Sequence, residues 1–480
     1  MIRKYFTALS LTALAVSMPA AAQVDETNRL VDEGMSRSQV MSLAQEMTDD
    51  IGPRLTNSPA MRRAEAWAID KFTGWGLQNV RRDAFDFGRG WEILSSSARM
   101  TVPRPLQLTA IPVAWTPPTN GVLSGEVIVA PMSKLRHFDE WKGKLAGKIV
   151  MISMPGTGSE GDKPAFRRWT SEELGKFDAF DQPEYDPEEL NARLKRVEFV
   201  EKLDAFLKAE GAIGWVRMSY RDGKLVHGAG YNFRNGRTLN LPGIELSAED
   251  YRRLVRLTKT GRKSVIEFEN NVRFDDSDRN GYNIIAEIPG SDPKAGYVMA
   301  GAHFDSWVAG DGATDNAAGS AVVMEAARIL KRMGTPKRTI RFALWSGEEQ
   351  GLIGSRAYTE KYLAKREPKP GMDLNGLEAF YDWSYRYPIV PQPGYNDLKA
   401  YFNMDNGSGK FRGIYAEGNA AAVPLLKEWL SPFAGMDASR VVAADTSGTD
   451  HVFMQQVGVP AYQFIQDPLD YSTRTHHSNA

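Results

Sequence analysis

Three short apolar runs in the second half of the chain stop at side chains of the opposite character. Residues 297–302 form one run, which ends at His303 and Asp305. Thr339–Trp345 runs into Ser346-Gly347-Glu348-Glu349, and residues 399–404 stop at Asp405. Apolar runs of this length, bounded by Gly and polar residues, predict buried strands. Between them the apolar spacing becomes helical. Residues 316–333 place Ala, Val, Met and Leu on one face, and 351–364 and 419–433 follow the same period. With strands at 282–288 and 461–465, this alternation predicts an α/β fold built on a mostly parallel sheet, with helices covering both faces as a three-layer α/β/α sandwich.

The first half has a different texture. Residues 38–47 and 60–72 carry apolar positions at helical spacing (Met61, Ala64, Trp67, Ala68 and Phe72 in the second). The break between them is Ile51-Gly52-Pro53-Arg54, and Asn57-Ser58-Pro59 reads as the entry to the second helix. Residues 80–87 alternate weakly, as an edge strand would. From about 100 to 275, Pro and Gly punctuate short β-type runs at 125–130, 148–152 and 211–216, with helices at 199–210 and 248–257, the latter capped by Ser247. Residues 158–198 are dense in charge and Pro, which suggests a solvated excursion with a helix near 187–200. The expected division is a targeting segment at 1–22, a first part of the main domain at 23–105, an inserted β-rich domain at 106–277 and the main α/β core at 278–480.

Composition narrows the functional classes. A chain of 480 residues exceeds one ordinary core, in keeping with two domains. The formal net charge of −1 argues against nucleic acid or an anionic membrane as a partner held by bulk charge. Arg3 and Lys4, an apolar stretch over 5–18 and Ala20-Ala21-Ala22 before Gln23 have the form of a secretory signal peptide. The expectation is an exported protein, periplasmic or secreted, with no membrane attachment after cleavage. Cysteine is absent, which removes disulfides, thiol nucleophiles and thiolate ligands.

Any metal must therefore be held by His and carboxylates. His303, Glu348, Glu349 and Asp405 fall at strand ends, and Asp315 follows a Gly-rich loop at a helix start. His and carboxylate donors suit zinc, with cobalt or manganese as less selective substitutes. Taken singly each residue has an ordinary explanation: a solvated Glu pair, a helix N-cap, a surface His. Their concentration at the same strand ends is what packing does not ask for. His137 and His227, in the 100–275 segment, read as surface or hydrogen-bonded histidines.

The ordered segments His303-Phe304-Asp305-Ser306, Gly312-Ala313-Thr314-Asp315-Asn316-Ala317-Ala318-Gly319, Ser346-Gly347-Glu348-Glu349-Gln350-Gly351, Asn403-Met404-Asp405 and Thr449-Asp450-His451 resemble the cocatalytic-zinc exopeptidases. That family includes bacterial leucine-type aminopeptidases, glutaminyl cyclases and the carboxypeptidase Q subgroup. The spacing from His303 to Asp315 and the early run from Ile51 to Pro59 look most like that last subgroup, and the inserted segment resembles a protease-associated domain. The resemblance implies that His303 and Asp405 bind one zinc ion and Glu349 and His477 the other, with Asp315 bridging. It further implies Glu348 as general base, Asp305 as the residue orienting His303, and Asp450 with His451 near the substrate. His476 lies one position off the family pattern, which elsewhere continues beyond the His-Ser segment to an Asp and a helix. Peptides or dipeptides are the expected substrates, and a homodimer is an expected assembly. Two rival activities share the motifs, a one-zinc glutaminyl cyclase and a non-catalytic receptor-like protein. Residues 380–388, rich in aromatics, are a candidate specificity loop, packed loop or dimer contact.

Overall fold

In the computed structural model, which describes residues 20–159, 164–180, 188–231, 238–367 and 382–480, one eight-stranded sheet carries the ligand-type residues. Its order is Gln78–Asp86, Asn280–Ile288, Thr339–Trp345, Tyr297–His303, Leu398–Asn403, Ala461–Gln466, Phe411–Tyr415 and Arg440–Val442. The four central strands, from Thr339–Trp345 to Ala461–Gln466, run parallel, and antiparallel neighbours flank them. Open sheets of this kind place their sites beyond the carboxyl ends of the parallel strands.

Alternation along each strand divides the core into two faces. Ile284, Ala286, Ala302, Phe342 and Leu344 pack against helices Val40–Gln45, Pro59–Gly74 and Ala318–Met333. Ile285, Met299, Ala343, Trp345 and Tyr401 pack on the opposite face against Tyr358, Leu363, Phe453 and Met454. The result is the expected three-layer α/β/α arrangement. Ser58 caps Pro59–Gly74 by accepting a hydrogen bond from the Met61 amide at 3.1 Å, with Pro at the helix start where its missing N–H costs nothing.

A second eight-stranded sheet has the order Leu106–Gln107, Gly90–Val102, Val265–Asp275, Leu123–Val129, Ile149–Met151, Gly214–Met218, Gly243–Leu246 and Ala110–Pro112. Its two long strands, Gly90–Val102 and Val265–Asp275, pair along their length, so the sheet begins ahead of residue 106. Helix Ala248–Lys259 lays Tyr251, Leu254 and Val255 on one face, and Leu203 and Leu207 of helix Glu189–Ala209 cover the other. The helix Ala20–Ser36 belongs to a unit separate from residues 39–480. No helix among the described residues is long and apolar enough to cross a membrane.

Two local expectations change. Within the charged excursion at 158–198, the part around Trp169 and Leu174 is anchored. The Trp169 indole donates to the Gln466 carbonyl at 2.8 Å, and Leu174 is buried with Val442 and Ile465. A few apolar side chains thus dock a stretch that charge density alone marks as solvated. In the aromatic run 380–388, residues 380 and 381 lie outside the described residues. Trp383 is fully buried against Phe453, and its indole donates to Glu360 at 2.7 Å. That ring packs the core and does not line an open surface.

Candidate metal centre

His303 ends the central strand directly beside Trp345, the last residue of its parallel neighbour, so the Glu348–Glu349 turn emerges next to it. Its ring is almost fully buried. Nε2 lies 3.1 Å from Asp315 Oδ1 and 3.4 Å from Asp405 Oδ1. Across Asp315, its second oxygen lies 3.1 Å from His477 Nε2, which is 2.7 Å from Glu349 Oε2. Asp315 therefore faces both histidines, one with each carboxylate oxygen. His476 stacks on His477 at 3.6 Å between ring centroids, with its Nε2 3.7 Å from Asp315.

Backbone and side-chain bonds hold these groups in place. The His303 Nδ1 contacts the main-chain oxygen of Asp305 at 3.0 Å, whereas the nearest Asp305 carboxylate oxygen is 3.8 Å away. The ring is thus oriented by Asp305, the residue the resemblance implied, through its main-chain carbonyl, with the carboxylate further off. The carboxylate itself accepts from the amides of Glu348 and Glu349, each at 3.3 Å, and from the Thr56 hydroxyl at 2.9 Å. Asp305 thereby fixes His303 and the Glu pair with one residue. Asn316 donates to the Met404 carbonyl at 2.8 Å and accepts from the Gly319 amide, tying the Asp315 turn to the end of the Asp405 strand. A Cβ at Gly319 would come within 2.4 Å of the Met404 oxygen, so this approach requires glycine. Gln463 donates to the Asp405 carbonyl at 2.7 Å, and Asn403 donates to Gln463 and Thr449.

The C-terminal histidines are held by the second sheet. The Arg221 guanidinium donates to the His476 carbonyl, and Val226 and Asn479 exchange bonds of 2.9 and 3.1 Å. Sequence reasoning missed Arg54, Thr56, Asn316 and Arg221. Arg54 was visible only as part of a helix break, and Arg221 had no local signal, since its partner is 255 residues away.

Burial and mutual charge govern the titration of the cluster. Burial opposes charge on His303 and His477, but the surrounding carboxylates (Asp405 first for His303, Glu349 first for His477) hold both well above an ordinary histidine. Burial pushes Asp315 up, yet His477 and His303 overcome it and hold that carboxyl well below its usual range. Glu349 rises to about 7 through burial and the Asp315 charge. Glu348 lies outside the ligand pairs. Burial raises it well above the carboxylate range against the opposing pull of His303, and the charges of Asp405, Asp450 and Glu349 add to the rise. Asp450 is fully buried and pushed up to about 8, again by burial first. His451 faces the Thr446 carbonyl at 3.2 Å and Glu417 at 3.3 Å. Of the two neighbours, Asp450 is thus the one that acts on the cluster.

The donor set fits divalent cations. Two groups place their ligand atoms within 4.8 Å of one another: His303, Asp315 and Asp405, and Asp315, His476 and His477. Asp315 is common to both. Glu349 Oε1 is a buried oxygen without a hydrogen-bond donor, and Asp315 Oδ2 and Asp405 Oδ1 meet the His477 and His303 nitrogens at 3.1 and 3.4 Å without good hydrogen-bond geometry, a costly arrangement that a cation would relieve. All ligand atoms are imidazole nitrogens and carboxylate oxygens, the chemistry zinc accepts.

Residues 283–479 match the model of peptidase family M28. Carboxypeptidase Q of Mus musculus is 26% identical over 443 residues, spanning 90% of this chain and 78% of its own length. Leupeptin-inactivating enzyme 1 of Streptomyces exfoliatus is 44% identical over 103 residues, 21% of this chain and 23% of that protein. Among solved structures, a peptidase M28 precursor from Shewanella amazonensis superposes with a TM-score of 0.64 at 22% identity, covering 96% of this chain and 91% of its own. The zinc aminopeptidase of Bacillus subtilis superposes with a TM-score of 0.52 at 18% identity, covering 89% and 84%.

Proposed function

We propose that this chain, whose residues 283–479 match the model of peptidase family M28, is a two-zinc metallo-exopeptidase releasing a terminal residue from short peptides or dipeptides. The observation that carries this reading is the position of Asp315, which offers one carboxylate oxygen to His303 and the other to His477. His303 and Asp405 would hold one ion, Glu349 and His477 the other, and Asp315 both. When bound, such ions supply Lewis acidity to a scissile carbonyl and to water.

The remaining work belongs to the chain. Glu348 is anchored through its own amide on Asp305, next to the ligand Glu349 but outside the ligand pairs. Its raised affinity for protons suits a group that takes the proton of the attacking water and delivers it to the leaving amine. Asp305 keeps Glu348, Glu349 and His303 in mutual register. Asp450, buried beside the cluster, adds negative charge that favours a protonatable Glu348 and a cationic amino terminus. The segment 106–277 acts as an inserted protease-associated-like domain, and the enzyme works after export, in a periplasm or outside the cell.

The direct test is a substrate panel with metal-depleted protein and with protein reloaded with zinc, cobalt or manganese. The expected result is metal-dependent release of free amino acids from dipeptides or aminoacyl anilides. Pyroglutamate formation from an N-terminal glutamine peptide without amino-acid release would favour a cyclase instead. Failure to take up any of the three metals would contradict the site.

A further inference from the structure

Arg54 is fully buried beside the carboxylate cluster, and among the described residues its guanidinium bonds go to main-chain oxygens and to no carboxylate. A buried guanidinium ordinarily needs such a partner. This one instead donates to main-chain carbonyls: Phe304 at 2.9 Å, Asp311 at 2.8 Å, Gly312 at 3.2 Å, Gly52 at 3.0 Å and Met47 at 3.3 Å. Its own amide donates to the Ser306 hydroxyl at 3.0 Å, and its carbonyl accepts from the Ser306 amide at 3.1 Å. Three of the five acceptors lie in the loop that leaves His303 and returns at Asp315: Phe304 directly after His303, and Asp311 and Gly312 at the start of the turn that leads to Asp315. The guanidinium therefore spans the segment connecting the two groups that face each other at 3.1 Å.

Electrostatics adds a reason for a cation here. Burial lowers Arg54 to about 10 even though the charges of Asp305, Asp311, Asp315 and Glu349 act against the fall, so the guanidinium is still charged at neutral pH. The cluster of carboxylates is itself buried and mutually repulsive. A fixed positive charge behind it compensates repulsion without occupying any ligand atom.

We propose that Arg54 is a positioning residue of the metal centre, which braces the 304–312 loop through its guanidinium fork and offsets the negative charge of the ligand carboxylates from behind. This rests on the two-ion reading of the cluster. It predicts that zinc affinity depends on Arg54 although Arg54 never touches the ion. A five-donor planar fork is something lysine cannot supply, so charge and brace separate by substitution.

The experiment compares wild type, Arg54→Lys and Arg54→Met by zinc titration against a chromophoric chelator, with the melting temperature of each metal-free protein measured in parallel. Arg54→Met is expected to weaken zinc binding by about 10- to 100-fold, the range for residues that support ligands without binding the ion. Arg54→Lys is expected to fall between it and wild type. Zinc affinity within twofold of wild type in both folded variants, with only a lowered melting temperature, would overturn the proposal. If Arg54→Met does not fold, Arg54→Lys decides by the same criterion. An Arg54→Lys chain that keeps the charge yet fails to fold would make the residue a fold determinant and also overturn it. Wild type that binds no metal would instead refute the reading of the site itself, so the two failures are distinguishable.

Discussion

At the scale of single residues, the adjacent histidines near the C-terminus separate most clearly. His477 lies 2.7 Å from Glu349 and 3.1 Å from Asp315, whereas His476 reaches Asp315 only at 3.7 Å and its carbonyl is engaged by Arg221. Their titration diverges accordingly. Burial and the neighbouring His477 lower His476 to about 4, while carboxylates raise His477. His477→Ala should therefore cost zinc affinity by more than the roughly 10- to 100-fold typical of an outer supporting residue, and His476→Ala should cost less than that. Zinc titration of the two variants checks this, and equal losses would assign both rings to the ion. His303, Glu349 and Asp405 stood out in the sequence because polar side chains interrupt strand ends that packing would leave apolar; Asp315 stood out after a Gly-rich loop, and His477 was singled out only through the family resemblance. The orienting role of the Asp305 carbonyl was not legible, because a main-chain acceptor leaves no side-chain signature.

At the scale of elements, strands Tyr297–His303, Thr339–Trp345, Leu398–Asn403 and Ala461–Gln466 were legible to within two residues, because buried parallel strands are continuous apolar runs, and Asn280–Ile288, antiparallel to both neighbours but equally buried, was legible to the same margin. The helix expected over 351–364 is shorter: Ile353–Tyr358 is helical, Thr359–Leu363 is a wider turn, and Ala364–Arg366 pairs as a strand with Ile389–Pro391. That pairing spans a sequence gap that periodicity cannot see. The second sheet holds an ion cluster of its own. Glu245, on Gly243–Leu246, accepts from Arg217 Nε at 2.8 Å on the neighbouring strand and lies 2.9 Å from His227 Nδ1. Burial would raise Glu245, but Arg217 and His227 outweigh it and hold the carboxyl at about 2, against 4.5 for the free group. A carboxylate depressed on folding contributes stability that is complete above about pH 4.5 and is lost as pH falls towards 2. At 1.36 kcal/mol per pH unit this amounts to about 3 kcal/mol. Urea unfolding should show Glu245→Gln less stable than wild type by an amount of that order at pH 7, with the difference shrinking as pH falls below 4.5. A difference independent of pH would contradict the assignment.

At the scale of the whole molecule, the metal centre is assembled from parts far apart in sequence. The central strand supplies His303, the Asp315 turn is locked by Asn316, and the adjoining strand ends bring Glu348, Glu349 and Asp405. Arg221, beyond strand Gly214–Met218 of the second sheet, holds the tail that carries His477. That last link was the least legible in the sequence, because it joins a loop beyond the second sheet to the final residues through a backbone carbonyl. The tail is thereby fastened from outside the main sheet. The central claim is that this assembly positions Glu348 to move protons at a two-ion centre. Its most direct test is Glu348→Gln, assayed for dipeptide hydrolysis alongside zinc content. The account predicts that turnover falls by at least about a hundredfold, as loss of general acid–base catalysis implies, while the zinc content stays that of wild type. Near-normal turnover in a variant that holds its zinc would contradict it.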